Sequence, residues 1–576
     1  MPLLRPLFGL SEICSSHGIE DVILCPGSRS AALSLAFSQN PLIATHVISD
    51  ERSGAFVGVG MALQTGKTVA LVCTSGSAAL NFAPAVAEAF FQEIPLLILT
   101  ADRPPEWIHQ YDGQTIFQRE MYGKHIKKSY ELPVDYQHPD SLWEIDRIVN
   151  EALNIAQCHP KGPVHINIPI REPFYPEADE VYLFENKVRS VAFMVPSVVL
   201  NLNDWEALLD IWQNCDRKMI AVGQQQDEVS KLLASFVSEQ EVVVVSDIIS
   251  NAQNPSFISL HDTFLQNSNT DNLQPDLLIT FGKSFISKSF KQFIRKNPPR
   301  FHWHIQEHPD LIDPFQSITH KIPTNALTFL KEFFDTLDLR KFKNGEDDEH
   351  DFEFFKTWEQ ANNFGKKYLN DFIKKVDFGE LLATYQLLKT LPTHSILHLG
   401  NSMPVRYGNL LAFGLTNQVE VFCNRGTSGI DGIMSTAVGQ ALKTEKTLTC
   451  LIGDVSFFYD RNALWNLKLP ENLKIVLINN AGGNIFRIID GPNKNPEFLV
   501  NFVGNQPLTA ENICKDSHIR YFSAKNQEEL TLGFNNLYDP HSGVSLLEIF
   551  VEADKDVLIF KDLKKGFLEF SASEEE

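Results

Sequence analysis

Short apolar runs alternate with amphipathic helical stretches from DVILCPGS at residue 21 to VSLLEIFV at residue 544. Strands that alternate with helices close into parallel, doubly wound sheets. A single core stops growing at roughly 250–300 residues. A chain of 576 residues is therefore expected to divide into several such units.

Three blocks are legible. The first carries the runs DVILCPGS, THVISDE, TVALVCTSG, IPLLILTADRPP and GPVHINIP, and it ends where PIREPFYPEADE (169–180) breaks the pattern. The second carries KMIAVG, EVVVVSD, DLLITFG and RFHWHI. A charged stretch, KNGEDDEHD (343–351), reads as a mobile linker. The third carries SILHLG, VEVFCN, TLTCLIGD, LKIVLINN and VSLLEIFV, and SASEEE at the end reads as a disordered acidic tail. The expectation is an α/β protein of three domains with doubly wound parallel sheets, over 1–182, 195–340 and 355–565.

Blocks one and three look like copies. At a fixed offset of 379, GMALQTGKTVALV (60–72) lies over GQALKTEKTLTCL (439–451), and six of thirteen positions match without a gap. Duplicated domains imply a ligand held between them.

Bulk properties exclude several classes. A net charge of −22 disfavours nucleic acid or an anionic membrane as the main partner. No apolar run approaches the ~20 residues that span a bilayer, and MPLLRPLFGL lacks the pattern of a signal peptide. The eight cysteines form no CxxC pair, which fits buried thiols in a reducing cytoplasm rather than zinc or disulfides. No GxGxxG opens a helix after a strand, so a dinucleotide-binding dehydrogenase fits poorly.

The sharpest chemistry lies in the third block. TLTCLIGD reads as a strand ending at Asp454, SFFYDRNALWNLK as a crossover helix, and LKIVLINN as the next strand, ending at Asn479 and Asn480. One βαβ unit puts Asp454 and Asn480, 26 residues apart, at the same carboxyl edge, where open α/β sheets bind ligands. A carboxylate and an amide oxygen are hard ligands suited to Mg²⁺ (or Mn²⁺), which completes its octahedron with phosphate oxygens and water. Gly482 and Gly483 allow close backbone approach, so a carbonyl near Gly482 is a candidate third ligand. Gly453, Val455 and Ser456 offer N–H groups to a phosphate.

GDVSFF…LINNAGGNIF resembles the motif by which thiamine-diphosphate enzymes hold their cofactor. ILCPGSRSAAL (23–33), SDERSGAFVGVGMA (49–62), CTSGSAALN (73–81), LTADRPPE (99–106), GNSMPVR (400–406) and NRGTSGIDG (424–432) narrow the match. They resemble the 2-succinyl-5-enolpyruvyl-6-hydroxy-3-cyclohexene-1-carboxylate synthase family. The resemblance covers blocks one and three well, and block two mainly at FGKSFISK (281–288). It implies a carboligating transferase of menaquinone biosynthesis that decarboxylates 2-oxoglutarate and adds the succinyl carbanion to isochorismate in a 1,4 sense.

The resemblance also implies roles. Glu51 matches the carboxyl that hydrogen-bonds the aminopyrimidine N1′ and promotes loss of the thiazolium C2 proton. Ile430, opposite Glu51 at the 379 offset, matches the apolar residue that props the cofactor into its bent shape. Ile485 and Ile489 match apolar residues near the thiazolium and substrate. Ser28, Gln114, Ser402 and Lys288 match substrate-contacting positions. Arg29, Arg103, Arg406 and Arg425 follow strand ends and suit two dicarboxylate substrates. A homodimer or homotetramer with the site between chains is implied as well. Three departures stand out: Ala481 replaces the usual third Asn, Ser77 a common Thr, and Val455 a Gly or Leu. The competing readings are another thiamine-diphosphate carboligase or decarboxylase, and a non-catalytic protein of the same fold.

Overall fold

The computed structural model describes residues 4–172, 175, 184, 188–194, 198–226, 228–265, 271–344, 352–415, 418–466, 468–489 and 496–574. Three sheets are formed, and every strand pairing in them is parallel. The first contains β1 (Asp21–Leu24), β2 (Ala44–Val47), β3 (Val69–Cys73), β4 (Leu96–Asp102), β5 (Lys128–Glu131) and β6 (Val164–Pro169). The second contains β7 (Lys218–Val222), β8 (Val243–Ser246), β9 (Leu277–Phe281), β10 (Phe301–Ile305) and β11 (His320–Ile322). The third contains β12 (Ile396–Leu399), β13 (Glu420–Cys423), β14 (Leu448–Gly453), β15 (Leu473–Asn479), β16 (Arg520–Ala524) and β17 (Ser545–Phe550).

The outer sheets share one topology. Their orders are β2-β1-β3-β4-β6-β5 and β13-β12-β14-β15-β17-β16, which is the same permutation when each is counted from its own first strand. The duplication read from the 379 offset is therefore a structural one, and β3 and β14 are its matched central strands. The fourteen runs picked from sequence all contain strands. The three strands that were missed, β5, β11 and β16, each lie at a sheet edge.

The helices that matter here are α1 (Glu51–Thr65), α2 (Ala83–Gln92), α3 (Lys288–Lys296), α4 (Phe352–Ile373), α5 (Met403–Leu410), α6 (Ile433–Ala441), α7 (Asp454–Tyr459), α8 (Ile485–Ile488) and α9 (Ala553–Glu574). One core cluster runs through both outer units, with Phe56, Val57 and Met61 of α1 packed with Met434, Ala437 and Val438 of α6. On the middle sheet, Phe290 and Phe293 of α3 pack with Trp358 of α4 and Phe567 of α9. The chain thus returns to the middle sheet twice after leaving it.

Three local expectations change. The segment after Asp454 is not one crossover helix: α7 ends at Tyr459 and a 3₁₀ turn covers Arg461–Leu464. The break falls at Asp460, whose buried carboxylate caps α6 by accepting the N–H (2.7 Å) and hydroxyl (2.9 Å) of Ser435. The C-terminal sequence is helical to Glu574 rather than a disordered tail, because Phe567 of α9 is buried on the middle sheet. The charged linker around 343–351 lies largely outside the described residues, and α-helix continues to Asn344 before it. Seven cysteines are buried, Cys158 is partly so, and all eight are free thiols. No helix among the described residues is long and apolar enough to cross a membrane.

Candidate active site

β14 and β15 pair in register from Leu448↔Leu473 to Gly453↔Ile478, so Asp454 and Asn480 leave adjacent strands at one edge. Asp454 is 3 % exposed. Its carboxylate accepts the N–H of Val455 (2.7 Å) and of Gly482 (2.9 Å). Burial raises its pKa to about 6, against those N–H groups, which lower it. A buried carboxylate with no cationic side chain bonded to it is what a resident cation would complete. The amide oxygen of Asn480 is buried with no hydrogen-bond partner, and a metal would satisfy it. A Cβ on Gly453 would meet nothing within 4 Å, whereas one on Gly482 would stand 2.9 Å from Val503. The loop is thus held tightly from behind and open over the strand end. Those features fit a hydrated divalent cation and a diphosphate. No three His, Cys, Asp or Glu side chains cluster to bind metal among the described residues; Asp454 and Asn480 bring one carboxylate and one amide oxygen to this edge.

Two details differ from the sequence expectation. The Val455 N–H is engaged by the carboxylate of Asp454 rather than left for a phosphate. The Gly482 carbonyl accepts the Asn484 N–H at 3.1 Å, which leaves it one lone pair. Ala481 has φ 61, a left-handed conformation that Asn adopts more readily than Ala. Gln114 (φ 58) and Ser402 (φ 73) are held in similarly unusual backbone. Such residues tend to cluster at functional sites.

Glu51 opens α1, as expected. Asp50 caps that helix by accepting the Ser53 N–H at 3.1 Å, and its other oxygen accepts from Asn462 at 2.6 Å. Arg52 donates to the Tyr459 carbonyl at 2.9 Å and lies over the Tyr459 ring. The start of α1 is therefore fixed against the last residue of α7 and the 3₁₀ turn that follows it. Glu51 itself is half-buried, with Asn81 3.4 Å from its carboxylate. Ile430 lies in the loop before α6, not at a helix start like Glu51, and is 40 % exposed. Ile489, just after α8, is also 40 % exposed, and Ile485 is half-buried.

The arginines fall into two pairs. In the first unit, burial and the charge of Arg103 both lower the Arg29 pKa. Arg29 donates to the Ile170 carbonyl at 3.0 Å. Arg103 bonds the Ser75 hydroxyl (2.8 Å), the Gln114 carbonyl (3.1 Å) and the Asp112 carboxylate. In the third unit, Arg406 is exposed on α5 and donates to the Ser402 carbonyl at 2.6 Å, and partial desolvation of its guanidinium and the charge of Arg425 lower its pKa. Arg425 donates to Asn401 at 3.1 Å, and its Nε is buried without a partner. Two like charges that feel each other are each eased by an anion placed between them, although Arg103 is already paired with Asp112. Ser28 and Gln114 are exposed, and Lys288 is the exposed first residue of α3 in the middle unit.

Sequence reasoning passed over Glu88. In α2 it looks like an ordinary surface carboxylate, yet it is 1 % exposed. It accepts the N–H groups of Gly426 (2.9 Å) and Thr427 (2.6 Å) and the Thr427 hydroxyl (2.6 Å). It thereby fixes the loop between Arg425 and Ile430 to the first unit. The signal for it would have been an acidic residue on the apolar face of its helix.

Parallel sheets of this order, a buried Asp and an Asn with a buried, unpaired amide oxygen on adjacent strand ends, and a duplicated partner unit are the frame of a thiamine-diphosphate enzyme. Family models agree. Residues 8–126 match the N-terminal TPP binding domain of thiamine pyrophosphate enzymes, and residues 199–399 match the middle domain of thiamine pyrophosphate enzymes. Curated relatives narrow the class. A Cytophaga hutchinsonii protein named 2-succinyl-5-enolpyruvyl-6-hydroxy-3-cyclohexene-1-carboxylate synthase is 40 % identical, covering 98 % of this chain and 99 % of its own. Proteins of the same name from Flavobacterium johnsoniae (36 %, covering 96 % and 97 %) and Bacteroides thetaiotaomicron (35 %, covering 97 % and 98 %) are similar over nearly full length. The chain belongs to the 2-succinyl-5-enolpyruvyl-6-hydroxy-3-cyclohexene-1-carboxylate synthase family.

Proposed function

We propose that this chain catalyses the thiamine-diphosphate-dependent decarboxylation of 2-oxoglutarate and the 1,4-addition of the succinyl unit to isochorismate. The observation that carries this reading is the pair of arginine pairs. Four guanidinium groups, Arg103 and Arg425 at strand ends and Arg29 and Arg406 in the segments that follow β1 and β12, in a chain of net charge −22, suit two dicarboxylates and exceed what a monocarboxylate such as pyruvate requires.

Bound thiamine diphosphate supplies a nucleophilic carbon and an electron sink for decarboxylation. The chain's residues do the rest. Asp454 and Asn480, with the Gly482 carbonyl, hold Mg²⁺ or Mn²⁺ and through it the diphosphate. Gly453, Val455 and Ser456 line the diphosphate at the start of α7, and Gly483 keeps the loop close. Glu51 shares a proton with the aminopyrimidine N1′, which sets the ring's protonation state. Ile430 and Ile485 would brace the cofactor, and Ile489 would shield the substrate. Arg29, Arg103, Arg406, Arg425 and Lys288 neutralise carboxylates, while Ser28, Gln114 and Ser402 supply neutral hydrogen bonds.

Glu51 is half-buried and Ile430 and Ile489 each leave 40 % of their surface exposed. Chemistry at a carbanion requires that water be excluded. A second copy, facing its Glu51 unit to the Asp454 unit of the first, supplies that cover in a homodimer or homotetramer. The test is a product assay. Purified protein with thiamine diphosphate and Mg²⁺ is given 2-oxoglutarate and isochorismate, or pyruvate alone. The expected product forms only in the first mixture, and turnover of pyruvate in its place would overturn the reading.

A further inference from the structure

Lys288, read above as a substrate-binding residue, belongs to the middle unit, whereas Arg406 and Arg425 belong to the third. Their relative position depends on how α3 is fixed against α5. That junction is a buried hydrogen-bond network. Ser287 caps α3, its hydroxyl accepting the Phe290 N–H at 3.0 Å and donating to Asp262 at 2.6 Å. Asp247 accepts the N–H groups of Ile286 and Ser287, the two residues before α3, and is bonded by His261 at 3.2 Å. From the other side comes Asn409, near the end of α5. Its amide group donates to Asp247 at 3.4 Å and to Asp262 at 3.2 Å, and its carbonyl accepts the Ile248 N–H at 2.9 Å. Asn409, Ser287 and His261 are each 1 % exposed and Asp247 3 %.

The carboxylates of the network lie close enough to cationic residues to act on their charge. Asp262 acts on the charge of Arg406. Lys291, one turn beyond Lys288, feels Asp247, Arg425 and Asp262. One asparagine therefore bridges two carboxylates that hold the helix start carrying Lys288, and it stands three residues from Arg406 on α5.

We infer that Asp247, Asp262 and Asn409 are positioning residues: they fix the separation of Lys288 from Arg406, so that one dicarboxylate is gripped from two domains at once. Side chains held by such second contacts place charge more accurately than free ones, and small misplacement is costly where two ends of a substrate must be met together. The inference rests on the reading of Lys288 as a substrate-binding residue.

A double-mutant cycle tests it. Steady-state KM for 2-oxoglutarate and for isochorismate is measured for Lys288→Ala, Asn409→Ala and the double variant, with the thiamine-diphosphate thermal shift as control. Lys288→Ala is expected to raise at least one KM about tenfold. Asn409→Ala raises the same KM by a comparable factor, in KM rather than kcat, and adds nothing once Lys288 is gone. Coupling of this kind is what residues acting through one another show. Independent, multiplying effects would overturn the inference while leaving the site reading intact. No change in either KM on Lys288→Ala would overturn both. Ser287→Ala replaces Asn409→Ala in the cycle if the latter does not fold.

Discussion

Gly60 and Gly439 hold equivalent places 379 residues apart, and each lets its helix rest on the other's backbone. A Cβ on Gly60 would stand 2.0 Å from the Thr436 carbonyl oxygen, and one on Gly439 would stand 2.0 Å from the Val57 carbonyl oxygen. Thr436 and Val57 are themselves 379 apart, so α1 and α6 cross on a local pseudo-two-fold axis. Ser53 and Ser435 share a hydrogen bond of 3.0 Å nearby. Because the obstacles are backbone atoms, no side chain can move aside. Gly60→Ala and Gly439→Ala are each expected to destabilise by roughly 1–3 kcal/mol or more, seen as a lowered melting point. Wild-type melting in either variant would remove the close crossing from the account.

The duplication was legible because it left identities at Gly60, Ala62, Leu63, Thr65, Lys67 and Thr68 in one ungapped segment. The placement of Asp454 and Asn480 on adjacent strand ends was legible because a βαβ unit fixes where successive strand ends lie. The strands β5, β11 and β16 were not, and the reason is physical. As edge strands they are only half covered: Lys128 is exposed, Ser129, Tyr130 and Glu131 are partly so, and β16 exposes Arg520 and Ser523. An apolar run is a signature of burial on both faces, and these strands lack it. Glu88, Asp247 and Asn409 were hidden for a related reason. A buried polar side chain shows itself only through its partners, and those lie far away in sequence: Thr427 for Glu88 and Asp247 for Asn409.

The Asp454 and Asn480 arrangement predicts a metal-dependent response. A ligand that binds only the folded state raises its melting point by an amount set by its concentration relative to Kd, about 2.7 kcal/mol at one hundred times Kd. Thiamine diphosphate with Mg²⁺ is expected to raise the melting point of the wild-type protein, and chelation of the metal to abolish the rise. Asp454→Ala and Asn480→Ala are expected to show no rise. Equal stabilisation of all three proteins would place the diphosphate elsewhere.

Glu51→Gln separates binding from activation. The amide keeps the size of the side chain and its place at the start of α1 but cannot share a proton with the ring. The variant is expected to retain the cofactor-dependent thermal shift. Its rate of thiazolium C2-proton exchange, read by NMR in deuterated buffer, is expected to fall roughly 10²–10⁴-fold, the usual contribution of a positioned acid or base. Exchange at the wild-type rate would reassign Glu51 to a structural role.

Asp460 makes stability depend on pH in an unusual direction for a carboxylate. Its side chain is fully buried, and burial raises its pKa from the ordinary 3.8 to about 7, against the N–H and hydroxyl of Ser435, which lower it. Between those values the folded chain holds a proton that the unfolded chain has released. Stability must therefore fall as pH rises through this window. The contribution of Asp460 is complete below about pH 4 and lost by about pH 7. Asp460→Asn does not titrate, and its amide oxygen still accepts the Ser435 N–H that caps α6. The melting point of the variant is expected to fall less between pH 5 and pH 8 than that of the wild type. It does not become flat, because burial also raises Asp454 and Asp556 to about 6. An unchanged slope would mean that the carboxylate stays ionised inside the fold, held by the charge of Arg52, which acts on it from α1.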